Sequence, residues 1–308
     1  MKLSRQVREI INVVIFLLVV GLLLTFYVIY PLNKAKDTMG RADFDDYEAL
    51  GDSLLPDADA TPFVEAGLVI DTFRVESDGL TTLSCIYVDP DTTRPLDSLA
   101  GTVFLVPSEY EDRNAVVPLA KQLSDAGYVV VTYDQRATGS STGLYHGEGQ
   151  YEATDLEALI AWLDLRNRLS HPLSVVGYDA GADAALLTAH DEGRIDKVIA
   201  VRPYLTTTRW LDVLADRNDW WWFPFRRTVM WWWYNLRSNY AARYREVDMI
   251  EPVGCPTTLI VTEPARDHEA VQKLVEVSSD SLLTVTTVPA EDSLASHLVM
   301  QYIAGPTK

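Results

Sequence analysis

Cysteine and basic residues are scarce in this chain. Cys85 and Cys255 are its only cysteines, and neither belongs to a C-x-x-C pair. The chain also lacks H-E-x-x-H and G-x-G-x-x-G sequences, which mark zinc and dinucleotide sites. We therefore expect no metal and no cofactor, and a disulfide between the two cysteines is not favoured.

Acidic residues outnumber basic ones. Lys and Arg total 26 against 44 Asp and Glu, which gives a formal net charge of -18 and a pI of about 4.6. Nucleic-acid partners require a basic surface, so we do not expect them. Hydrophobic residues make up 48% of the sequence, which is ordinary for a globular protein with one large core.

One long apolar run lies near the N-terminus. Ile10 to Tyr30 is interrupted only by Asn12, Gly21 and Thr25. A helix needs about 20 apolar residues to cross a bilayer, whereas the apolar part of a cleaved signal peptide spans about 7–15. The run therefore predicts an uncleaved transmembrane anchor over residues 10–30, in contact with the lipid bilayer.

Charges that flank the run predict its orientation. The basic residues are Lys2, Arg5 and Arg8 before it, and Lys34 and Lys36 after it. Because the more positive side tends to stay in the cytoplasm, we place residues 1–9 there and the C-terminal domain outside. Residues 31–66 are rich in aspartate and predict an acidic linker.

Strand and helix signals alternate from residue 67 onward. Eight short apolar segments are predicted strands: Leu68–Glu76, Thr81–Val88, Thr102–Val106, Tyr128–Tyr133, Leu173–Val176, Lys197–Val201, Thr257–Val261 and Leu282–Val288. Two leading antiparallel strands followed by repeated β-α units predict an α/β domain over residues 67–308. Its sheet is expected to be mostly parallel, with helices on both faces.

The alternation stops between residues 203 and 252, where tryptophans accumulate in two runs, Trp220–Trp222 and Trp231–Trp233. We interpret this segment as a helical cap inserted over the carboxyl edge of the sheet, where open α/β sheets bind ligands. Three consecutive helical positions fan through about 200°, so each run meets more than one surface. Lipid, an apolar substrate pocket and ordinary packing all fit, and Arg226 and Arg227 suit lipid headgroups.

The most distinctive motif is Gly177-Tyr178-Asp179-Ala180-Gly181, which lies between a predicted strand and an alanine-rich helix. It matches the G-x-S-x-G nucleophile elbow with aspartate in place of serine. Here the chain resembles the α/β-hydrolase superfamily, and most closely its serine esterase and peptidase-like branch. The resemblance covers Leu68 to the C-terminus and implies the α/β-hydrolase fold.

A second motif, from Asp134 to Ser141, supports the resemblance. It is similar to the D-x-R-G-x-G-x-S loop that follows the fourth strand in many of these hydrolases, with Ala137 replacing one glycine. We predict that Asp134 and Arg136 pair and hold this loop near the site.

The resemblance also implies the remaining site residues. The superfamily's base follows the last strand, and His297 is the one histidine located there. Its acid follows the seventh strand, where Asp267 is the first choice and Glu263 the alternative. The backbone N–H groups of Ala180 and of Ser108, in the loop after the third strand, are the implied oxyanion donors.

Two functions fit this set of residues. With Asp179 as nucleophile and His297 activating water, the chain would hydrolyse an apolar small-molecule ester, epoxide or similar substrate. However, Pro107-Ser108 replaces the family's His-Gly, and Ala180 stands where aspartate-nucleophile enzymes carry tryptophan. These departures keep open the alternative, a catalytically inactive binding or scaffold protein that retains the fold. The sequence does not indicate which residues bind a substrate.

Overall fold

The computed structural model describes residues 5–40, 59–79, 81–90, 95, 98–191, 193–218, 225–237, 253–262, 268–279, 281–289 and 295–305. The chain divides into two compact units. Residues 1–39 and 211–243 form the first unit, and residues 40–210 and 244–308 form the second. The second unit contains the sheet and the elbow.

The second unit is built on one eight-stranded sheet. The strands are β1 (Ile70–Glu76), β2 (Thr82–Val88), β3 (Thr102–Val106), β4 (Val129–Tyr133), β5 (Leu173–Tyr178), β6 (Lys197–Val201), β7 (Thr257–Thr262) and β8 (Leu283–Val288). Their order is β1-β2-β4-β3-β5-β6-β7-β8. β2 pairs antiparallel with β1 and β4, and the other pairs are parallel. The predicted, mostly parallel sheet is confirmed.

Ten α-helices lie within the described residues. They are α1 (Arg5–Leu24), α2 (Tyr30–Met39), α3 (Thr61–Glu65), α4 (Val117–Asp125), α5 (Gln150–Asp164), α6 (Ala180–Asp191), α7 (Thr207–Arg217), α8 (Arg226–Arg237), α9 (His268–Val277) and α10 (Ser296–Ala304). A π-helical segment, Thr25–Ile29, joins α1 to α2, and a 3₁₀ turn, Arg113–Val116, precedes α4.

The sheet carries a hydrophobic core on each face, because its central strands are apolar on both sides. Leu156 and Leu163 of α5 belong to the core on one face. Leu119 of α4 and Val299 of α10 belong to the core on the other. Burying each such side chain fully contributes about 1.5–3 kcal/mol to stability. The predicted packing of helices on both faces is therefore also confirmed.

The first unit contains the N-terminal helices. The stretch Arg8–Ala35 is 28 residues long, and an apolar 18-residue window within it has a mean hydropathy of 2.8 and is 0% buried. It is long and apolar enough to cross a membrane, a property that it shares with signal sequences. The helical structure continues beyond the predicted anchor. α2 includes residues 31–39, which the sequence analysis assigned to the acidic linker.

The structure describes the predicted linker and cap only in part. Residues 41–58 of the linker and Trp220–Trp222 lie outside the described residues. Residues 211–243 group with the N-terminal helices, so the cap over the sheet stays a prediction.

Candidate active site

The elbow has the strained geometry that its motif predicts. Asp179 adopts a left-handed backbone conformation with φ of 53° between β5 and α6. A Cβ at Gly177 would lie 2.1 Å from the carbonyl oxygen of Gly181, and a Cβ at Gly181 would lie 2.6 Å from that of Pro107. Both contacts are too close for any side chain, so the two glycines let strand and helix cross at this point.

The Asp179 carboxylate is bound by an arginine. Nε and an Nη of Arg202, which directly follows β6, donate to the two carboxylate oxygens at 3.0 Å each. The side chains are only 10% and 23% exposed for Asp179 and Arg202, respectively. Burial lowers the pKa of Arg202, but the hydrogen bonds and charge of Asp179 outweigh it and raise this pKa overall. The pair is a fork-on-fork ion pair of the strong kind.

A second buried carboxylate shapes the loop that carries Arg202. Asp183 of α6 accepts backbone hydrogen bonds from Tyr204 and Leu205, both at 2.9 Å. Arg202 and Leu205 adopt left-handed conformations with φ of 54° and 61°. Such conformations cost about 1–2 kcal/mol per residue, and the bonds to Asp183 hold the loop in place.

Glu109 occupies the predicted oxyanion position. The backbone N–H of Ala180 donates to Glu109 Oε2 at 3.2 Å. The Tyr204 hydroxyl donates to Oε1 at 2.9 Å, and the Ser108 hydroxyl donates to Oε2 at 3.3 Å. A carboxyl group of the chain itself therefore lies at the Ala180 N–H, one of the two predicted oxyanion donors.

Glu109 is placed to hold a proton near neutral pH. Burial, and after it the negative charge of Asp179, raise the pKa of Glu109 from an ordinary 4.5 to about 7, although hydrogen bonds from Tyr204 and Ala180 lower it. Burial and the same two carboxylates raise the pKa of Tyr204 well above its usual value. Tyr204 therefore remains a hydrogen-bond donor to Glu109.

The loop after β4 is held differently from the prediction. Asp134 pairs with Arg113 and accepts from the Ser140 backbone at 2.8 Å. Arg136 instead binds the two oxygens of Asp155 in α5 at 2.6 and 2.8 Å. The predicted Asp134–Arg136 pair is therefore wrong, because each charge is buried against a partner from another element. The prediction that these residues hold the loop agrees with the bonds.

His297 is the second residue of the closing helix. It lies in the first turn of α10 and is exposed, whereas Asp179 is buried. Asp267 and Glu263, the candidate acids, lie outside the described residues. A working triad of Asp179, His297 and Asp267 consequently stays a prediction.

Lys197 holds the C-terminal end of α10 against the sheet. Its ammonium group, on the first residue of β6, donates to the carbonyls of Tyr302 at 2.7 Å and Gly305 at 3.0 Å. Burial lowers the pKa of Lys197. The contact satisfies carbonyls at the helix C-terminus, where a positive charge is favourable.

Replacing this lysine with methionine is expected to loosen α10. Lys197→Met removes charged hydrogen bonds worth about 2 kcal/mol, so amide hydrogen exchange over residues 296–304 should accelerate. Lys121→Met, which removes an exposed ion pair with Asp125, is the control and should leave α10 unchanged. Equal exchange in the wild type and Lys197→Met would show that Lys197 does not hold the helix.

Sequence reasoning missed two central groups of this site. Glu109 directly follows the candidate donor Ser108, and Arg202 directly follows a predicted strand end. Both positions lie at the carboxyl edge of a parallel sheet, where functional side chains collect. Their location at the ends of predicted strands could have identified both residues from the sequence.

Comparisons with known proteins agree with this fold. A family model described as X-Pro dipeptidyl-peptidase (S15 family) matches residues 86–221, which span β2 to α7 and include the elbow. A search of curated proteins found no match.

Solved structures extend the likeness to most of the chain. An esterase from Pyrococcus furiosus is 20% identical with a TM-score of 0.59, over 78% of this chain and 91% of that chain. The α/β hydrolase GrgF from Penicillium is 16% identical with a TM-score of 0.54, over 76% and 97%. A thioesterase domain from the curacin biosynthetic pathway is 17% identical with a TM-score of 0.53, over 77% and 100%. This chain has the α/β-hydrolase fold, and its resemblance to that superfamily is confirmed.

Proposed function

We propose that this chain is a membrane-anchored protein of the α/β-hydrolase fold that binds a small-molecule ligand at its elbow without hydrolysing it. Residues 10–30 anchor it as a single span, and the α/β domain lies outside the cytoplasm. The observation that carries this proposal is the ion pair between Asp179 and Arg202.

The ion pair opposes covalent catalysis. A nucleophilic carboxylate attacks with an oxygen lone pair, which must be available to the substrate. Both Asp179 oxygens instead accept hydrogen bonds from one guanidinium, which stabilises the charge that attack would consume. The site also places Glu109 on the Ala180 N–H, so a developing oxyanion would meet a carboxyl group there.

Hydrolysis of an apolar ester, epoxide or related compound is the second candidate. The peptidase family model and the esterase and thioesterase structures support a hydrolase, esterase- or peptidase-like. The strained φ of Asp179 is also the geometry of a nucleophile elbow. This function requires Arg202 to release Asp179, and it assigns His297 as base, Asp267 or Glu263 as its acid, and the N–H groups of Ala180 and Ser108 as oxyanion donors.

Intact-mass detection of a covalent adduct on Asp179 separates the two functions: an epoxide or haloalkane would leave an ester there, and an ester substrate would leave an anhydride and release its alcohol. Full-length protein and His297→Gln, in which a covalent intermediate would accumulate, are incubated with panels of esters, epoxides and haloalkanes. We expect no turnover and no mass increase in either protein, because Arg202 holds the carboxylate. Asp179→Asn is the matched control for labelling at other sites.

An adduct in His297→Gln that is absent from Asp179→Asn would overturn the binding proposal and establish the hydrolase. Turnover by the wild type that Asp179→Asn abolishes would do the same.

A further inference from the structure

We propose that the aromatic face of α8 lies in the headgroup region of the bilayer, beside the end of the transmembrane span. The partner is a lipid surface. This inference rests on the proposed anchoring by residues 10–30 and concerns the first unit alone.

Helix α8 presents an unusual surface. Met230 and Tyr234, one turn apart, are buried. Trp231 and Trp232 of α8 are 48% and 59% exposed, and Phe225, directly before the helix, is 58% exposed. Large exposed aromatic side chains grouped on one helix mark an interaction surface, and indole rings prefer the boundary between membrane and water.

The position of α8 along the apolar N-terminal helix favours a lipid surface as its partner. α8 packs against α2 within the first unit. The side chains from Ile10 to Tyr30 are exposed except for Val20, which is half-buried, and Pro31 and Ala35 are the first buried side chains beyond them. Their spacing of four residues places them on one helix face, which we infer to be the face that α8 covers. Within the described residues, full burial of this helix therefore begins where the apolar run ends.

The dimensions of a bilayer agree with this arrangement. At about 1.5 Å per residue, residues 10–30 span about 31 Å, close to a hydrocarbon core of about 30 Å. Pro31 and Ala35 then lie roughly 2–8 Å beyond the core, and the headgroup region on each side is about 5–7 Å thick. A helix packed on these two residues lies at headgroup depth.

Arg226 and Arg227 of α8, which the sequence suggested for contact with lipid headgroups, form ion pairs within the protein. Arg226 pairs with Asp216 at 2.9 Å, and Arg227 pairs with Asp212. These ion pairs join α8 to the end of α7 within the first unit. The exposed tryptophans, rather than the arginines, therefore make the membrane contact.

Site-specific labelling of the full chain tests the proposal. Cys85 and Cys255 are buried, so a thiol-reactive NBD fluorophore can be directed to Trp232→Cys. The labelled protein is compared in amphipol and in vesicles of phosphatidylcholine and phosphatidylglycerol, with and without a nitroxide lipid spin-labelled at the headgroup or upper acyl chain. We expect a blue-shifted emission in vesicles and at least a twofold loss of intensity with the nitroxide lipid.

Two labelled controls make each outcome decisive. Leu165→Cys, on an 82% exposed residue of the second unit, should show neither change. Phe16→Cys, in the proposed span, should be quenched by a nitroxide deep in the acyl chain. If Phe16 is quenched but Trp232 is not, the α8 proposal fails and the anchor stands; if neither is quenched, both fail. A blue shift at Trp232 without lipid quenching would indicate a protein partner and overturn the proposal.

Discussion

Arg202→Met is expected to lower the free energy of unfolding of the α/β unit by about 3 kcal/mol, because it leaves Asp179 charged, poorly exposed and close to Glu109. This loss is at the low end of the range for breaking a buried ion pair, because Arg202 is partly exposed to solvent. Urea denaturation monitored by circular dichroism measures it.

Double substitution distinguishes an ion pair from unrelated packing. Arg202→Met combined with Asp179→Asn should recover about 2 kcal/mol relative to the sum of the single changes, because the two residues interact directly. Arg194→Met, which removes the exposed Arg194–Asp164 pair, is the matched control and should cost less than about 1 kcal/mol. Additive effects at Arg202 and Asp179 would contradict the pairing and free Asp179 for a catalytic role.

Glu109→Gln is expected to change how stability depends on pH. The folded-state pKa of about 7 lies above the ordinary 4.5, so between these values the folded protein holds a proton that the unfolded chain has lost. The contribution of Glu109 is therefore fully favourable below pH 4.5 and is lost as the pH rises toward 7. The shift corresponds to about 3 kcal/mol.

The measurement is the difference in unfolding free energy between the wild type and Glu109→Gln from pH 5 to pH 8. Glutamine retains an acceptor for the Ala180 N–H but does not ionise, so the wild type should lose stability relative to the variant as the pH rises. Asp164→Asn, at an exposed carboxylate, should show no such trend. A constant difference across the range would mean that Glu109 titrates like an exposed carboxyl.

The fold was predictable from the sequence because its signals are local. Strands such as β4, with three consecutive valines, are buried on both faces, and this burial requires an apolar run that is visible in the sequence. The elbow was predictable because Gly177 and Gly181 meet backbone atoms that no side chain tolerates. A steric requirement of this local kind appears in the sequence as two glycines at a fixed spacing.

The partners of the charged groups were not predictable in the same way. Asp134 and Arg136 are separated by one residue, and their nearness in sequence suggested a pair. Each instead meets a partner about 20 residues away in the chain, Arg113 and Asp155. A buried charge requires a geometrically matched partner, and which element supplies it depends on how loops pack over the sheet edge. Arg202 and Glu109 escaped prediction for the same reason.

The three left-handed residues at the site, Asp179, Arg202 and Leu205, have a consequence for recognition. Each backbone is held in a conformation that an unconstrained chain seldom visits, by the Gly177–Gly181 crossing and by Asp183. The groups they display are thus set before any ligand arrives. Ordering these loops on binding would therefore cost little conformational entropy. Selectivity would come from the shape and charge of a fixed surface rather than from closure of the loops around the ligand.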